Sequence, residues 1–231
     1  VQIWTIPAGQ LLCQINAHLK GANSVAFSPD GRFLASTGND GIVRLWELSP
    51  ILEGDACPDR PAAEMIGGAF AVSDIAFSPD GQAVASANAR IIHLRDPISQ
   101  RLIRTLYGEN SIFRIAYSPD GKWLAGAEMG GSARVWEVES GQLKVVLSGP
   151  DQPASSSGSF LWGIGFSPDG LILAGGRSDG RVILWVLSSE PVMSVVLEDH
   201  TRAVTSLKFS PDGRRLATGS LDNSVIVWGI P

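Results

Sequence analysis

Short runs of alternating apolar and polar residues recur along the chain, each bounded by glycine, proline, aspartate or asparagine. Five of these runs read VAFSPDGRFLAS, IAFSPDGQAVAS, IAYSPDGKWLAG, IGFSPDGLILAG and LKFSPDGRRLAT. Alternation with a period of two predicts β-strands, and a repeat of about 40 residues predicts stacked supersecondary units. The sequence therefore predicts a repeat protein built from small β-sheets.

Each SPDG segment predicts a hairpin turn, because proline presets φ, aspartate bonds nearby backbone and glycine accepts a positive φ. A second turn, marked by Asp40, Asp179 or Asp222, leads into a third strand that ends at Trp46, Trp185 or Trp228. A fourth, less regular strand is predicted in QLLCQINA, QRLIRTLYG, QLKVVLSG and PVMSVVLED. Each unit is therefore predicted to be a four-stranded antiparallel meander.

Such a meander cannot bury both of its faces alone, and packing sheet against sheet around an axis predicts an all-β β-propeller. These residues resemble the WD40 family, whose pattern runs from Gly-His through FSPDG and LASGS to a closing Trp-Asp. The resemblance implies repeats at 10–48, 62–97, 100–138, 141–187 and 190–229, with an extra strand at 1–4. No copy keeps Trp-Asp itself: the closing pairs are Trp46-Glu47, Arg95-Asp96, Trp136-Glu137, Trp185-Val186 and Trp228-Gly229.

The number of blades has two interpretations. In the first, QLLCQINA pairs with VIVW near the C-terminus and closes a five-bladed ring, and the N-terminal strand VQIW is then an extra strand outside the ring. Because seven blades are usual in the WD40 family, we favour part of a seven-bladed or larger propeller, which would leave strand edges open.

Composition narrows the function classes. The net charge is -5 without a basic stripe, so no nucleic-acid partner is expected. No apolar run approaches the roughly 20 residues that a membrane helix needs, so no membrane association is expected. Cys13 and Cys57 are expected to be unpaired, with one disulfide between them as the alternative. We expect no metal and no cofactor, and the compartment stays open, with the cytoplasm favoured.

His18, Ser36 and Asp40 are the residue types of a hydrolase triad. With Trp46 they recur as His200, Thr218, Asp222 and Trp228, at the same separations of 18, 4 and 6 positions. An enzyme of this kind needs one active site, so the second copy argues against catalysis. The resemblance implies a buried structural hydrogen-bond network instead, without catalytic residues. The third unit has Gly130 in place of the aspartate, and the fourth has Gly175 and no histidine, so looser turns are expected there. His93 is expected to be solvated.

The family resemblance implies that a partner binds at the loops that enter the innermost strand and precede the third strand. Five large apolar residues occupy these positions in the last three units: Phe113, Met129, Phe160, Trp162 and Leu221. The first two units offer small or polar groups there, including Asn39 and Asn88. Clustered aromatic anchors predict a partner-binding surface, and packing of Phe160 and Trp162 under the enlarged loop 149–159 is the alternative.

The sequence therefore predicts a non-catalytic scaffold that binds a protein or peptide. One alternative is a sensory or regulatory segment of a larger multidomain protein. A propeller-type hydrolase is the third interpretation, but the inner strands offer only scattered Asp74, Arg114 and Lys208.

Overall fold

The computed structural model describes residues 1–52, 57–149, 160–188 and 192–230. These residues form 21 antiparallel strands and one short helix, which confirms the predicted all-β architecture of propeller blades. They fall into two compact units, Val1–Thr105 and the residues from Leu106 onward.

The strands form one two-stranded sheet and five blade sheets, each hydrogen-bonded in sequence order. The two-stranded sheet contains β1 (Gln2–Trp4) and β2 (Leu11–Gln14). The first blade contains β3 (Ala22–Phe27), β4 (Phe33–Gly38), β5 (Ile42–Glu47) and β6 (Ala63–Ile66). The second contains β7 (Val72–Phe77), β8 (Val84–Asn88), β9 (Ile91–Arg95) and β10 (Leu102–Tyr107). The third contains β11 (Ile112–Tyr117), β12 (Trp123–Glu128), β13 (Ala133–Glu137) and β14 (Leu143–Leu147). The fourth contains β15 (Leu161–Phe166), β16 (Ile172–Arg177), β17 (Val182–Val186) and β18 (Met193–Leu197). The fifth contains β19 (Val204–Phe209), β20 (Arg215–Ser220) and β21 (Val225–Gly229).

The N-terminal part differs from the sequence expectations in its strand pairing, in two unpredicted elements and in its cysteines. Strand β2 pairs with β1, through Gln2 opposite Gln14, so QLLCQINA extends VQIW instead of VIVW. A short strand that the sequence analysis did not predict, β6, completes the first blade, and one helical turn, α1 (Ser49–Leu52), lies in the enlarged loop before it. The expectation of unpaired cysteines is wrong, because Cys13 and Cys57 form a disulfide.

The five SPDG turns share one geometry. In the first, the Ser28 hydroxyl donates to Asp30 Oδ1 at 2.6 Å, and the Arg32 amide donates to the same oxygen at 3.0 Å. Gly31 has φ of +71°. The other four turn glycines have φ of +72° or +73°, a region in which a side chain would strain the backbone. The conformation predicted from the turn residues is therefore present in every copy.

Neighbouring blades pack through apolar faces within each compact unit. Val43 and Leu45 of the first blade form one buried cluster with Val72 and Ile75 of the second. In the other unit, Val182, Leu184 and Ala174 of the fourth blade meet Val204, Leu207 and Leu216 of the fifth. Each buried valine, leucine or isoleucine side chain there contributes about 1.5 to 3 kcal/mol relative to exposure. These faces form most of the core.

In each of the first four blades, one small interior space is filled by a side chain that comes either from the entering loop or from the end of the second strand. In the first blade it holds the His18 ring, and a Cβ on Gly38, at the end of β4, would lie 2.5 Å from that ring. In the second, third and fourth blades the histidine position is a glycine, and a Cβ there would lie 2.4 to 2.9 Å from the side chain at the end of the second strand. The three pairs are Gly68 with Asn88, Gly108 with Glu128, and Gly149 with Arg177. The polar side chain therefore comes from the loop or from the strand, and the opposite position is a glycine.

The second blade differs at the end of its third strand. Leu34, Leu124, Leu173 and Leu216 each pair across the sheet with a tryptophan, whereas Val84 pairs with Arg95. Burial lowers the pKa of Arg95, and its Nη1 atom is buried without a hydrogen-bond partner among the described residues. A buried guanidinium nitrogen without a partner is destabilising.

Arg95→Trp should therefore stabilise the protein by about 1 to 2 kcal/mol, because it removes that desolvated group. It also places an indole N–H near the buried Ser86 hydroxyl. In the first blade, the equivalent Trp46 indole N–H donates to the Ser36 hydroxyl at 2.9 Å. Urea unfolding measures the effect, with exposed Arg101→Trp as the control for a gained aromatic residue. An unchanged or lowered unfolding free energy would contradict this explanation.

The reciprocal filling of the polar space predicts energetic coupling in the fourth blade. Gly149→His should crowd Arg177, and Arg177→Gly should leave Asp179 without its buried ion-pair partner. Each change should cost about 2 to 4 kcal/mol. The double variant should recover at least about 1 kcal/mol of the summed loss, because the new histidine can meet Asp179. A double-mutant cycle in urea measures the coupling, and strictly additive losses would refute it.

Acid should destabilise the fold through the SPDG turns. The serine hydroxyl, with the backbone amide two residues beyond the aspartate, lowers the pKa of Asp30, Asp80, Asp120, Asp169 and Asp212. A carboxyl whose pKa is lowered by folding stabilises the protein above its unfolded pKa, and that contribution is lost as the pH falls through the folded pKa. Stability should therefore decline below about pH 4. Asp80→Asn should make the loss of stability below about pH 4 smaller, as measured by urea unfolding at several pH values. Asp199→Asn, which lies outside the turns, is the control and should leave the pH dependence unchanged. The same pH dependence in Asp80→Asn as in the unaltered chain would show that this turn does not contribute to acid sensitivity.

Candidate functional site

The first triad-like set lies at the loop that leads into β3. His18 Nδ1 lies 2.9 Å from Asp40 Oδ1, and His18 Nε2 lies 2.9 Å from Ser36 Oγ. The Trp46 indole N–H also donates to Ser36 Oγ, at 2.9 Å. Arg44 donates to Asp40 Oδ2 at 2.7 Å. Burial raises the pKa of Asp40, but the hydrogen bonds from Arg44 and His18 outweigh it and lower that pKa overall.

The fifth blade repeats the arrangement. His200 lies 2.9 Å from Asp222 through Nδ1 and 2.8 Å from the Thr218 hydroxyl through Nε2. The Trp228 indole N–H donates to that hydroxyl at 2.9 Å. The Ser224 hydroxyl lowers the pKa of Asp222, with further hydrogen bonds from His200 and the Thr201 amide. In the first and fifth blades, the histidine, hydroxyl residue, aspartate and tryptophan are therefore in contact.

This geometry favours a structural role over nucleophilic catalysis. Ser36 has no exposed surface, Thr218 is 1% exposed, and both histidine side chains are fully buried. A nucleophile needs free space for a reacting carbonyl about 3 Å away. Each hydroxyl instead accepts an indole N–H, so its lone pairs face protein groups. The buried polar groups satisfy one another, as a stabilising network requires.

The third and fourth blades replace the missing groups from nearby positions. Fully buried Glu128 accepts hydrogen bonds from Arg134 Nε and the Glu109 amide, both at 2.9 Å. In the fourth blade, Arg177 donates to Asp179 at 2.5 Å, and the Trp185 indole N–H donates to the Ser148 carbonyl at 3.0 Å. Looser turns were expected in these two blades, but their polar interiors contain ion pairs of their own.

Three aromatic rings predicted at the partner-binding loops contact one another in the second compact unit. Phe113 and Trp162 stack with centroids 4.9 Å apart and planes 23° apart. Phe160 lies 6.1 Å from Phe113 in an edge-to-face arrangement and 5.8 Å from Trp162 with the ring planes tilted by 46°. All three residues are half-buried. We call Phe113, Phe160, Trp162 and Met129 the aromatic patch.

Met129 joins the patch because it forms an isolated β-bridge with Phe160, and its residue is 44% exposed. Its amide donates to the Ser111 carbonyl at 2.8 Å, which brings the two predicted loop positions of the third blade together. Leu221 is also exposed, and its amide donates to Ala203 at 2.9 Å. No backbone hydrogen bond or isolated β-bridge among the described residues joins Leu221 to the patch. The loop that could cover Phe160 and Trp162, 150–159, lies outside the described residues.

Sequence reasoning missed two exposed apolar residues in the first compact unit. Leu19 is fully exposed directly after His18, and Phe70 is 68% exposed two positions after Gly68. Both lie in the loops that enter the innermost strands. Comparing the first and second residues after the histidine position across the blades would have identified them as large apolar residues. Two other assignments were wrong. Asn88 is buried and donates to the Ala71 carbonyl at 3.1 Å, and His93 is half-buried with Nδ1 3.1 Å from the Gly67 carbonyl.

Neither a metal centre nor a membrane-crossing helix is apparent in the part of the chain that the structure describes. No three histidine, cysteine, aspartate or glutamate side chains converge there as potential ligands. No helix there is long and apolar enough to cross a bilayer.

The WD40 family, described as WD domain, G-beta repeat, matches residues 9–47, 100–137, 143–186 and 190–229. Among curated proteins, the chain is 24% identical over 156 residues to a component of chromatin assembly factor 1 from Gallus gallus, covering 64% of this chain and 23% of that protein. It is 28% identical over 146 residues to small ribosomal subunit protein RACK1y of Oryza sativa subsp. japonica, covering 60% and 41%. It is 26% identical over 143 residues to U3 small nucleolar RNA-associated protein 21 of Saccharomyces cerevisiae, covering 61% and 14%.

The chain therefore spans less than half the length of each of these three relatives. Strands β7, β8 and β9 of the second blade lie outside the matched ranges, yet with β10 they form a four-stranded sheet like those of the first, third and fourth blades. The family matches cover more than half of the chain, and they include the three inner strands of the first, third, fourth and fifth blades, whose turns and strand order repeat. On these grounds, the chain belongs to the WD40 family.

Proposed function

We propose that this chain is a non-catalytic scaffold that binds a protein or peptide through the aromatic patch and Leu221. The observation that carries the proposal is the mutual contact of Phe113, Phe160 and Trp162 at loop positions, with exposed Met129 beside them. Aromatic residues and methionine are enriched in the cores of protein interfaces. They dominate binding energy when they form a compact centre surrounded by weaker contacts.

The patch is suited to binding because its rings are already ordered. Phe113 lies on β11 and Trp162 on β15, the innermost strands of two adjacent blades, and their stacking restricts the rotamers of both. A partner that covers these rings therefore loses less side-chain entropy on binding than it would on a flexible surface. Apolar anchors on a rigid sheet favour a peptide or protein with its own apolar side chains.

The absence of catalysis is part of the proposal. Its support is that the hydroxyls of Ser36 and Thr218 are buried and occur twice, in equivalent networks. The names of the three relatives place them in chromatin assembly, a ribosomal subunit and association with a small nucleolar RNA. These names support a role in assembly for this chain as well. A protein partner without direct nucleic-acid binding stays our prediction, supported by the net charge of -5.

Selection of a phage-displayed random peptide library on the immobilised chain tests the proposal. Enriched peptides should carry apolar anchors and bind with a micromolar Kd. The combined change Phe113→Ala and Trp162→Ala should weaken their binding at least about tenfold, which corresponds to about 1.4 kcal/mol. Fluorescence polarisation with labelled peptides measures the Kd.

Phe27→Ala is the matched control, because Phe27 is a more exposed phenylalanine outside the patch. Its peptide affinity should equal that of the unaltered chain. Equal peptide binding by the double variant would refute the patch as the binding site. A melting temperature lowered by more than about 8 °C in the double variant would instead assign these rings to local packing.

A further inference from the structure

A concave site separate from the aromatic patch lies in the second compact unit, at the end of the inner strands that carries the SPDG turns. It is a cleft of about 840 Å³ between the turn of the fourth blade and the outer strands of the third. Its walls include Ser118–Asp120, Pro168–Leu171 and side chains of β12, β13 and β14. Ligand pockets for small molecules usually have volumes of about 300 to 1,000 Å³. The cleft therefore has the size of a small-molecule site.

Its lining is apolar where the equivalent turns are polar. The position after the turn glycine holds Leu171, which is 49% exposed. The other four turns carry a charged or polar residue there: Arg32, Gln82, Lys122 and Arg214. Trp123, Val145 and Leu187 are only partly buried and pack on the core from the cleft side. Since all five turns share one backbone geometry, the apolar cleft results from these side chains and not from the fold.

The fixed charge at the cleft is negative. Asp169 Oδ1 accepts the Ser167 hydroxyl at 2.6 Å and the Leu171 amide at 3.0 Å, so its carboxylate is held in place. Those hydrogen bonds also lower the pKa of Asp169. It forms no ion pair with any described residue, whereas the other carboxylate, Asp120, lies 3.4 Å from Lys122. Lys144 also lines the cleft, but its exposed ammonium is on a long flexible stem.

We propose that this cleft binds a small organic cation, with its apolar or aromatic body against Trp123 and Leu171 and its protonated amine near Asp169. Aromatic rings pair favourably with an indole in offset-stacked or edge-to-face arrangements, which suits an aromatic body against Trp123. A carboxylate held by its own turn can pair with the amine without first being ordered. The site is independent of the aromatic patch, so its test does not depend on the peptide-binding proposal.

Two probes of matched shape and opposite charge test the chemistry. Isothermal titration calorimetry with naphthylethylamine should give saturable binding, and naphthylacetate should bind at least tenfold more weakly. Raising the salt concentration should weaken amine binding, because the ion pair is near the surface. Equal affinity for the two probes, tighter binding of naphthylacetate, or no binding of either probe would overturn the proposal.

Variants locate the binding. Leu171→Arg introduces the residue that the first and fifth turns already carry, so the turn should fold, while the cleft should lose naphthylethylamine binding. Asp169→Asn keeps an oxygen acceptor for the turn and should weaken the amine at least threefold without affecting naphthylacetate. Arg214→Leu and Asp212→Asn, the same positions in the fifth blade, should leave both affinities unchanged. Full amine binding in Leu171→Arg and in Asp169→Asn would place the binding elsewhere and refute the site.

Discussion

The polar interior of each of the first four blades depends on one small space, between the loop that enters the innermost strand and the end of the second strand. The structure leaves room there for a single side chain: a Cβ on Gly38 would come within 2.5 Å of His18, and a Cβ on Gly108 would come equally close to Glu128. A buried polar group in this space must also be hydrogen-bonded. Steric exclusion and hydrogen-bond satisfaction together explain why each of the first four blades carries one such group, opposite a glycine.

This constraint explains why the third and fourth blades remain ordered although they lack much of the family pattern. Glu128 and Arg177 enter the shared space from the strand and form ion pairs with Arg134 and Asp179. The carboxylate of the third blade thus comes from a strand end and not from a turn. Judged by the family's histidine and turn aspartate alone, such blades look degenerate. Their interiors nevertheless contain a hydrogen-bonded polar group, supplied by different residues.

The sequence was sufficient for features that depend on local chemistry. The SPDG turns and the strand order follow from residues whose conformational preferences are strong. The contacts of His18 and His200 were expected from the family resemblance, because they join residues 18 and 22 positions apart. The sequence was insufficient where the outcome depends on contacts distant along the chain. Nothing local marks the Cys13–Cys57 disulfide, 44 positions apart, or the short strand β6 after an enlarged loop. Asn88 was assigned to the surface because the second blade lacks one turn residue, and only the strand register, with Asn88 opposite Val72, places it in the interior.

The same repetition separates structural residues from those that can differ for function. Residues that form the turns or fill the polar interior have the same role in every blade, because each blade must satisfy the same packing and hydrogen-bonding requirements. Positions whose backbone is equivalent but whose side chains differ in character are not constrained by those requirements. Phe113 and Trp162 occupy places that hold Asn23, Ser73 and Thr205 in other blades, and Leu171 occupies a place that holds arginine, glutamine or lysine. Exposing large apolar groups there does not help the fold, since the other blades form without them. These departures are therefore the places where recognition by this chain can be expected.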